Sequence, residues 1–356
     1  MKTLGVRGFS RASAATLLLV SSLVARAAPR TLAIYFVDVE GGQSTLVVTP
    51  AGESLLVDAG FPGDGTFESQ PGDPTKARDA QRILAAARAA GVSRIDYLLV
   101  THFHGDHDGG VVELSQLIPI RTFVDHGTVP PEAEAVAGTL DLFQRYAAVR
   151  ANSRHIVPKP GDRLGLTAVE ATIVSSAAAV LARPLPGAGS KNDACGGVPP
   201  AVQEAIENPR STGVVVRFGR FRFLDVGDLV GAPLRSLVCP NDRIGPVDLY
   251  LIAHHGNDDA ADRATFAALK PRAAVMNNGA RKGGGAQMFA ALHGLRGLDV
   301  FQLHRSTNPG AENFDAANIA NLDETTSHWI KVEASQDGSF EVTNTRTNQA
   351  KQYRRQ

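Results

Sequence analysis

The chain has little cysteine, with only Cys195 and Cys239 among its 356 residues, and neither lies in a C-x-x-C pair or beside a histidine. A cysteine-built metal site and a disulfide-dense scaffold are therefore excluded. In an oxidising compartment the two can pair, but a separation in sequence does not say whether they meet in space. An excess of charge is also missing: 36 basic residues face 36 acidic ones. That balance argues against a dedicated nucleic-acid binder, which would carry a basic face. Beyond the first 24 residues no apolar run is long enough to cross a membrane. Internal repeats and low-complexity tracts are absent. So are a G-x-S-x-G elbow and a phosphate-binding P-loop, which leaves no motif for a serine nucleophile or a nucleotide phosphate.

The first 27 residues read as a segment apart. Lys2, Arg7 and Arg11 make a basic start, Ala14 to Val24 is short and mostly apolar, and Ala25-Arg26-Ala27 fits a small-x-small cleavage site. This is the pattern of an export signal, without a twin arginine, and an uncleaved anchor is the alternative. Cleavage near Ala27 would remove four basic residues and no acidic one, leaving 32 basic against 36 acidic, a formal net charge of −4. The expectation is a periplasmic or secreted protein formed by one domain over 28–356, with no membrane span after cleavage.

What the sequence does have is concentrated in Thr101-His102-Phe103-His104-Gly105-Asp106-His107-Asp108-Gly109-Gly110. Three histidines and two carboxylates fall within seven positions, directly after the apolar run Ile95 to Val100, which reads as a strand buried on both faces. Imidazoles mixed with carboxylates suit a borderline divalent ion such as zinc. The other elements alternate in kind. Strands are expected over 31–38, 44–49, 53–58, 120–124, 168–174, 247–253 and 273–276. Hairpins are expected over 214–225 and 329–343. Helices are expected over 74–90, 111–117, 131–150 and 262–270. The mixture is an α/β layered pattern. Residues 175–210 show little periodicity, as in lids and binding loops.

Polar clusters fall repeatedly just after strands: Asp58, the 102–107 motif, Asp228 in Leu224-Asp225-Val226-Gly227-Asp228, and His254-His255-Gly256. Each has a duller reading alone. Asp58 can be a turn residue, Asp228 a helix N-cap for Leu229 to Leu237, and the histidine pair a loop. Their order and spacing together resemble the metallo-β-lactamase superfamily of dinuclear metal hydrolases. His102-Phe103-His104-Gly105-Asp106-His107 matches that family's H-x-H-x-D-H motif, Asp58 its early strand-end acid, Asp228 its metal-bridging acid and His254 its last histidine, with His255 as a rival. More narrowly, Phe36-Val37-Asp38-Val39, Val226-Gly227-Asp228 and His254-His255-Gly256 resemble the hydrolase domain of the bacterial competence channel protein and its secreted relatives.

The resemblance implies an αββα sandwich with the site at one edge of two sheets. It implies two metal ions, zinc first, with manganese or iron as alternatives. His102, His104 and Asp228 would hold the first ion. Asp106, His107, Asp228 and His254 would hold the second. One departure stands out: many members carry a further histidine shortly before the bridging acid, where this chain has Glu207-Asn208-Pro209-Arg210-Ser211. Water or Asn208 would then fill the first site.

The expected chemistry is attack by a metal-bridging hydroxide, oriented by Asp106, with Asp58 fixing an imidazole such as His102 or His104. His126, after the strand beside the motif, is a candidate proton donor, ligand, substrate contact or plain loop residue. Asn277, Asn278 and Lys282, after a late strand, are candidate substrate contacts. The substrate is expected to be a small molecule, an ester or a phosphodiester. Phosphodiester hydrolysis, or a metal-stabilised binding module without turnover, are the alternatives; the oligomeric state leaves no signature.

Overall fold

The computed structural model describes residues 31–132, 138–203 and 206–355, besides Met1 and Gly5. The export signal expected over 1–27 lies outside the described residues. The chain begins with the strands β1 (Leu32–Phe36), β2 (Thr45–Val48) and β3 (Ser54–Val57), followed by α1 (Arg78–Ala89), β4 (Tyr97–Leu99) and α2 (Val111–Leu117). Next come β5 (Thr122–Val124), α3 (Thr139–Arg150), β6 (Arg154–Ile156), β7 (Arg163–Leu164), β8 (Glu170–Ser176) and β9 (Ala179–Val180). The hairpin β10 (Gly213–Phe218) and β11 (Phe221–Asp225) leads through α4 (Gly231–Val238), β12 (Leu249–Leu251), α5 (Arg263–Leu269), β13 (Ala273–Met276) and α6 (Ala286–His293) to β14 (Asp299–His304). Four strands close the chain: β15 (Ile319–Asn321), β16 (Ile330–Ala334), β17 (Phe340–Asn344) and β18 (Gln349–Tyr353).

These strands form two sheets, β18-β17-β16-β1-β2-β3-β4-β5-β6 and β15-β14-β13-β12-β11-β10-β8-β7, with β9 beside β8. Alternation along each strand decides the layering, because successive side chains point to opposite faces. Ile34, Phe36, Val57 and Leu99 from one sheet meet Phe223, Leu249, Leu251 and Val275 from the other in a shared core. Tyr35, Leu56 and Leu98 face outward under α1 to α3, where Ala80, Ile83, Leu84 and Ala87 form the buried stripe of α1. Leu224, Tyr250 and Ala274 face outward on the second sheet, under α4 to α6. The result is the expected αββα sandwich. Its central strands are buried on both faces, which is why they read as continuous apolar runs.

Strands β3 to β6 pair in parallel, and so do β11 to β15. Their carboxyl ends therefore open toward one edge, the usual place for a site in a parallel sheet. No helix among the described residues is long and apolar enough to cross a membrane.

Several boundaries differ from the expectation. Helix α1 starts at Arg78, with Pro74 left in the preceding loop, and α3 starts at Thr139 after Gly138 at φ 86°. Residues 133–137 of the helix expected over 131–150 lie outside the described residues. Strands β6 and β18 carry no apolar alternation because they are exposed edge strands. Strand β14 was masked in the sequence by Gln302 and His304, both buried. Gln302 donates to Asn313 and to the His304 carbonyl, and His304 Nε2 faces Asp38 Oδ1 at 2.7 Å. The aperiodic 175–210 segment is tied down by a disulfide between Cys195 and Cys239, which the sequence left open.

Candidate metal centre

Asp58 closes β3 with φ +60°. Its amide donates to the Leu99 carbonyl at 2.8 Å, so the parallel pairing of β3 with β4 places its carboxylate under the motif loop. That carboxylate accepts from the Thr101 amide at 2.7 Å and the Thr101 hydroxyl at 2.8 Å, and it faces His107 Nδ1 at 2.7 Å. Asp58 thus steadies His107 directly, because the loop turns back over it, and reaches the expected His102 only through the Thr101 hydroxyl, which lies 3.1 Å from His102 Nδ1. A proton on Nδ1 leaves the Nε2 lone pair of His107 pointing into the centre. The turn itself demands glycine: a Cβ on Gly110 would lie 2.1 Å from the Ala59 carbonyl oxygen. His102 Nε2 and His104 Nδ1 face one another at 2.9 Å.

The second sheet supplies the opposing groups. Asp228 follows β11 through Gly227, whose φ of +55° and close approach to Thr101 leave no room for a Cβ. The residue at the N-cap of α4 is Val230, so Asp228 is not a helix cap. After β12, His254 (φ 50°, ψ 46°) and His255 (φ 54°, ψ 18°) are two consecutive left-handed residues. Such a conformation costs roughly 1–3 kcal/mol per non-glycine residue and persists where the surroundings enforce it.

The two halves converge on one oxygen. Asp228 Oδ2 lies 3.2 Å from His107 Nε2, 3.2 Å from His255 Nε2, 3.7 Å from His254 Nε2 and 3.8 Å from His102 Nε2. Asp106 Oδ2 lies 3.3 Å from His107 Nε2, 3.2 Å from His255 Nε2 and 2.5 Å from Lys282 Nζ. Asp106, His107, Asp228 and His255 are all buried, and their ligand atoms lie within 4.8 Å of one another. His255, the rival, therefore completes this set in place of His254, whose ring is drawn to Asp259 instead.

The donor set fits a divalent cation. Asp228 Oδ1 is buried and accepts no hydrogen bond among the described residues, as befits a second oxygen reserved for an ion. Burial opposes ionisation of Asp228, yet His107, His255 and His254 outweigh it and hold the carboxyl well below its usual range. Asp106 is held low in the same way, with Lys282 and His107 overcoming burial. Burial, with His107 and His104 adding to it, pushes His102 well below the usual imidazole range and so keeps its lone pair free of a proton. Burial favours the neutral form of His107 too, but Asp228, Asp106 and Asp58 prevail and raise it, so the protein's own charges call for a positive charge at this spot.

The remaining expected residues divide. Lys282 joins Phe67, Leu142, His104, Asp228 and His254 along a cleft of about 330 Å³ that opens onto the centre. Asn277 and Asn278 do not line it. Asn277 reaches the Gly42 carbonyl and Gln43, and Asn278 donates to the Gly279 and His304 carbonyls, so both brace loops. His126 lies outside the cluster, 3.1 Å from Glu207 Oε2 and packed on Phe103. Glu207 also accepts from the Phe103 amide at 3.0 Å and so clamps the motif loop. Asn208 Nδ2 is 3.2 Å from His254 Nε2. Asp259 was missed: its Oδ1 lies 2.7 Å from His254 Nδ1. Its position five residues past His254 gave no periodic signal.

A fold of this kind, with buried histidines and aspartates gathered at the sheet edge, defines a metal-dependent enzyme of the hydrolase type. A profile described as Metallo-beta-lactamase superfamily matches residues 37–276, and the chain belongs to that superfamily. No curated protein shows significant similarity to the sequence. Among solved structures, the metallo-beta-lactamase fold protein YhfI from Bacillus subtilis is 10% identical with a TM-score of 0.44, over 77% of this chain and 96% of its own. Igni18, a metallo hydrolase from Ignicoccus hospitalis KIN4/I, is 13% identical with a TM-score of 0.41, over 80% of this chain and 100% of its own. CmlA, a diiron beta-hydroxylase from Streptomyces venezuelae, is 17% identical with a TM-score of 0.37, over 69% of this chain and 44% of its own, so the chain spans less than half of that structure.

Proposed function

We propose that this protein is an exported hydrolase that uses two divalent ions, zinc in the first instance, to cleave a small substrate carrying an anionic group, with a phosphodiester as the leading class. The observation that carries the reading is the convergence of four imidazole nitrogens on Asp228 Oδ2 beside a cleft that Lys282 helps to line. Asp106, His107, Asp228 and His255 would hold one ion, and His102, His104 and Asp228 would begin the other. Ions bound there supply an acidified water near neutral pH and a Lewis acid for charge that develops on the scissile group.

The chain's own residues set the stage. Asp58 holds the tautomer of His107 through Nδ1, and Asp259 does the same for His254. Lys282 offers a cation beside Asp106, suited to a phosphate or carboxylate oxygen. Phe67 and Leu142 line the cleft with apolar surface for the remainder of the substrate. The motif of residues 1–27 and the disulfide both suit an oxidising, extracytoplasmic setting. The domain is taken to run over 28–356.

The test is a panel of bis(4-nitrophenyl) phosphate, single-stranded DNA, a carboxylic ester and nitrocefin, assayed with zinc or manganese and with a chelator. Phosphodiester cleavage that disappears with chelator, with His102→Ala and with Asp106→Ala is the expected result. Cleavage that survives all three refutes a metal-dependent mechanism, and failure on both phosphate substrates refutes the substrate class. One tightly held ion with no turnover on any substrate would favour a binding module instead.

A further inference from the structure

The first site lacks the histidine expected ahead of Asp228, and the chain carries a second histidine, His254, beside the one that the other site uses. His255 Nε2 already lies 3.2 Å from both Asp106 and Asp228 and 3.3 Å from His107, so its lone pair is committed to that set. His254 points elsewhere. Its Nε2 is 3.7 Å from the same Asp228 oxygen that His102 approaches at 3.8 Å. Its ring lines the cleft together with His104, Asp106 and Asp228, whereas His255 is enclosed behind it.

We propose that His254 is the fourth protein ligand of the first ion, with His102, His104 and Asp228, standing in for the absent histidine. Three observations support the assignment. Asp259, buried at 3% exposure, lies 2.7 Å from His254 Nδ1, the carboxylate–histidine pairing that aims Nε2 at a metal. The Asn208 carboxamide nitrogen sits 3.2 Å from His254 Nε2, so with Nδ1 turned to Asp259 the Nε2 lone pair is held by a neutral group that an ion would displace. The consecutive left-handed residues 254 and 255 turn two adjacent imidazoles toward one carboxylate, which neither a strand nor a helix could do. Imidazole is also a stronger ligand for a borderline ion than the Asn208 carboxamide.

The inference rests on the two-ion reading, and the experiment separates them. Protein purified with its disulfide intact is loaded with zinc, dialysed, analysed for metal content and titrated against a chromophoric chelator. The wild-type chain is expected to hold two ions. His254→Ala should hold one with unchanged affinity and lose the other by at least about 100-fold. The His102→Ala/His254→Ala pair should still hold one, and the His254→Ala/His255→Ala pair none. Asp259→Asn, which keeps every ligand, should weaken the first ion alone by about 10–100-fold; it serves as the check if His254→Ala fails to fold. Two ions at wild-type affinity in both His254→Ala and Asp259→Asn overturn the assignment while leaving the two-ion reading intact. A His102→Ala/His254→Ala chain that holds none also overturns it, placing His254 with His255. A wild-type chain that takes one ion overturns both.

Discussion

Asp58→Asn tests how the centre is built. The carboxylate faces three donors, the Thr101 amide at 2.7 Å, the Thr101 hydroxyl at 2.8 Å and His107 Nδ1 at 2.7 Å. Asparagine has one acceptor oxygen and an NH₂ group, so if the oxygen keeps the Thr101 amide, the NH₂ faces the Thr101 hydroxyl, which can rotate to accept, and His107 Nδ1, the two groups that share Asp58 Oδ2. The backbone amide cannot yield, but the imidazole can, by moving its proton from Nδ1 to Nε2. That puts an N–H where the lone pair faced Asp106 and Asp228, 3.3 and 3.2 Å away. Loss of such a partner typically lowers metal affinity by about 10–100-fold, which is about 1.4–2.7 kcal/mol. The metal-free fold should suffer less. Burial alone pushes the Asp58 carboxyl upward, so a neutral amide regains desolvation energy that offsets the mismatch. Chelator competition and urea unfolding of metal-free protein, run on the same variant, should therefore diverge, with affinity falling more than stability. Wild-type zinc affinity in Asp58→Asn would refute the tautomer argument, and equal losses in both assays would reduce Asp58 to a packing residue.

Three further outcomes are expected. Replacing Cys195 and Cys239 by serine opens a loop of 44 residues, for which chain entropy gives a loss of about 4 kcal/mol in unfolding free energy; a loss below about 1 kcal/mol in denaturant titration would show that the hydrogen bonds from Arg235 to the Cys195 and Gly197 carbonyls and from Asn192 to the Val238 carbonyl already hold the segment. Burial raises the native pKa of Asp79 from 3.8 to about 6 despite the Arg78 guanidinium, so its stabilising contribution is complete below pH 3.8 and is lost as pH rises through about 6. Asp79→Asn should remove that decline, worth up to about 3 kcal/mol, and parallel pH profiles for variant and wild type would contradict it. Lys282→Met should raise KM for an anionic substrate roughly tenfold or more, the worth of a charge-assisted hydrogen bond, and leave KM for a neutral ester nearly unchanged; equal effects on both would remove Lys282 from substrate binding.

The parts of the centre that were legible were those held within a few residues. His102 to His107 fit a short loop after one strand, and apolar runs such as Leu249 to Leu251 announced buried strands. What escaped depended on distant register. That Asp58 touches His107 directly, and His102 only through Thr101, is set by where β3 meets β4 and how the loop folds back. Which of His254 and His255 joins Asp106 depends on two left-handed residues that nothing in Ala253-His254-His255-Gly256 announces. Gln302 and His304 disguised β14 because their partners, Asn313 in the following loop and Asp38 at the far end of the chain, lie outside the strand itself.

The sandwich core has a second meaning for the centre. One sheet carries Asp58 and the motif, the other Asp228 and the histidine pair, and Phe36 meets Phe223 between them with ring centroids 5.7 Å apart. Divalent ions bound across that seam would act as rivets, since the ligands come together only when the halves are seated. By mass action, each ion at 100 times its dissociation constant would add about 2.7 kcal/mol to global stability. The linkage runs in reverse too. A substitution that shifts one sheet against the other, well away from any histidine, would be read out as weaker metal retention, so metal affinity would become a gauge of how firmly the two halves of the molecule grip each other.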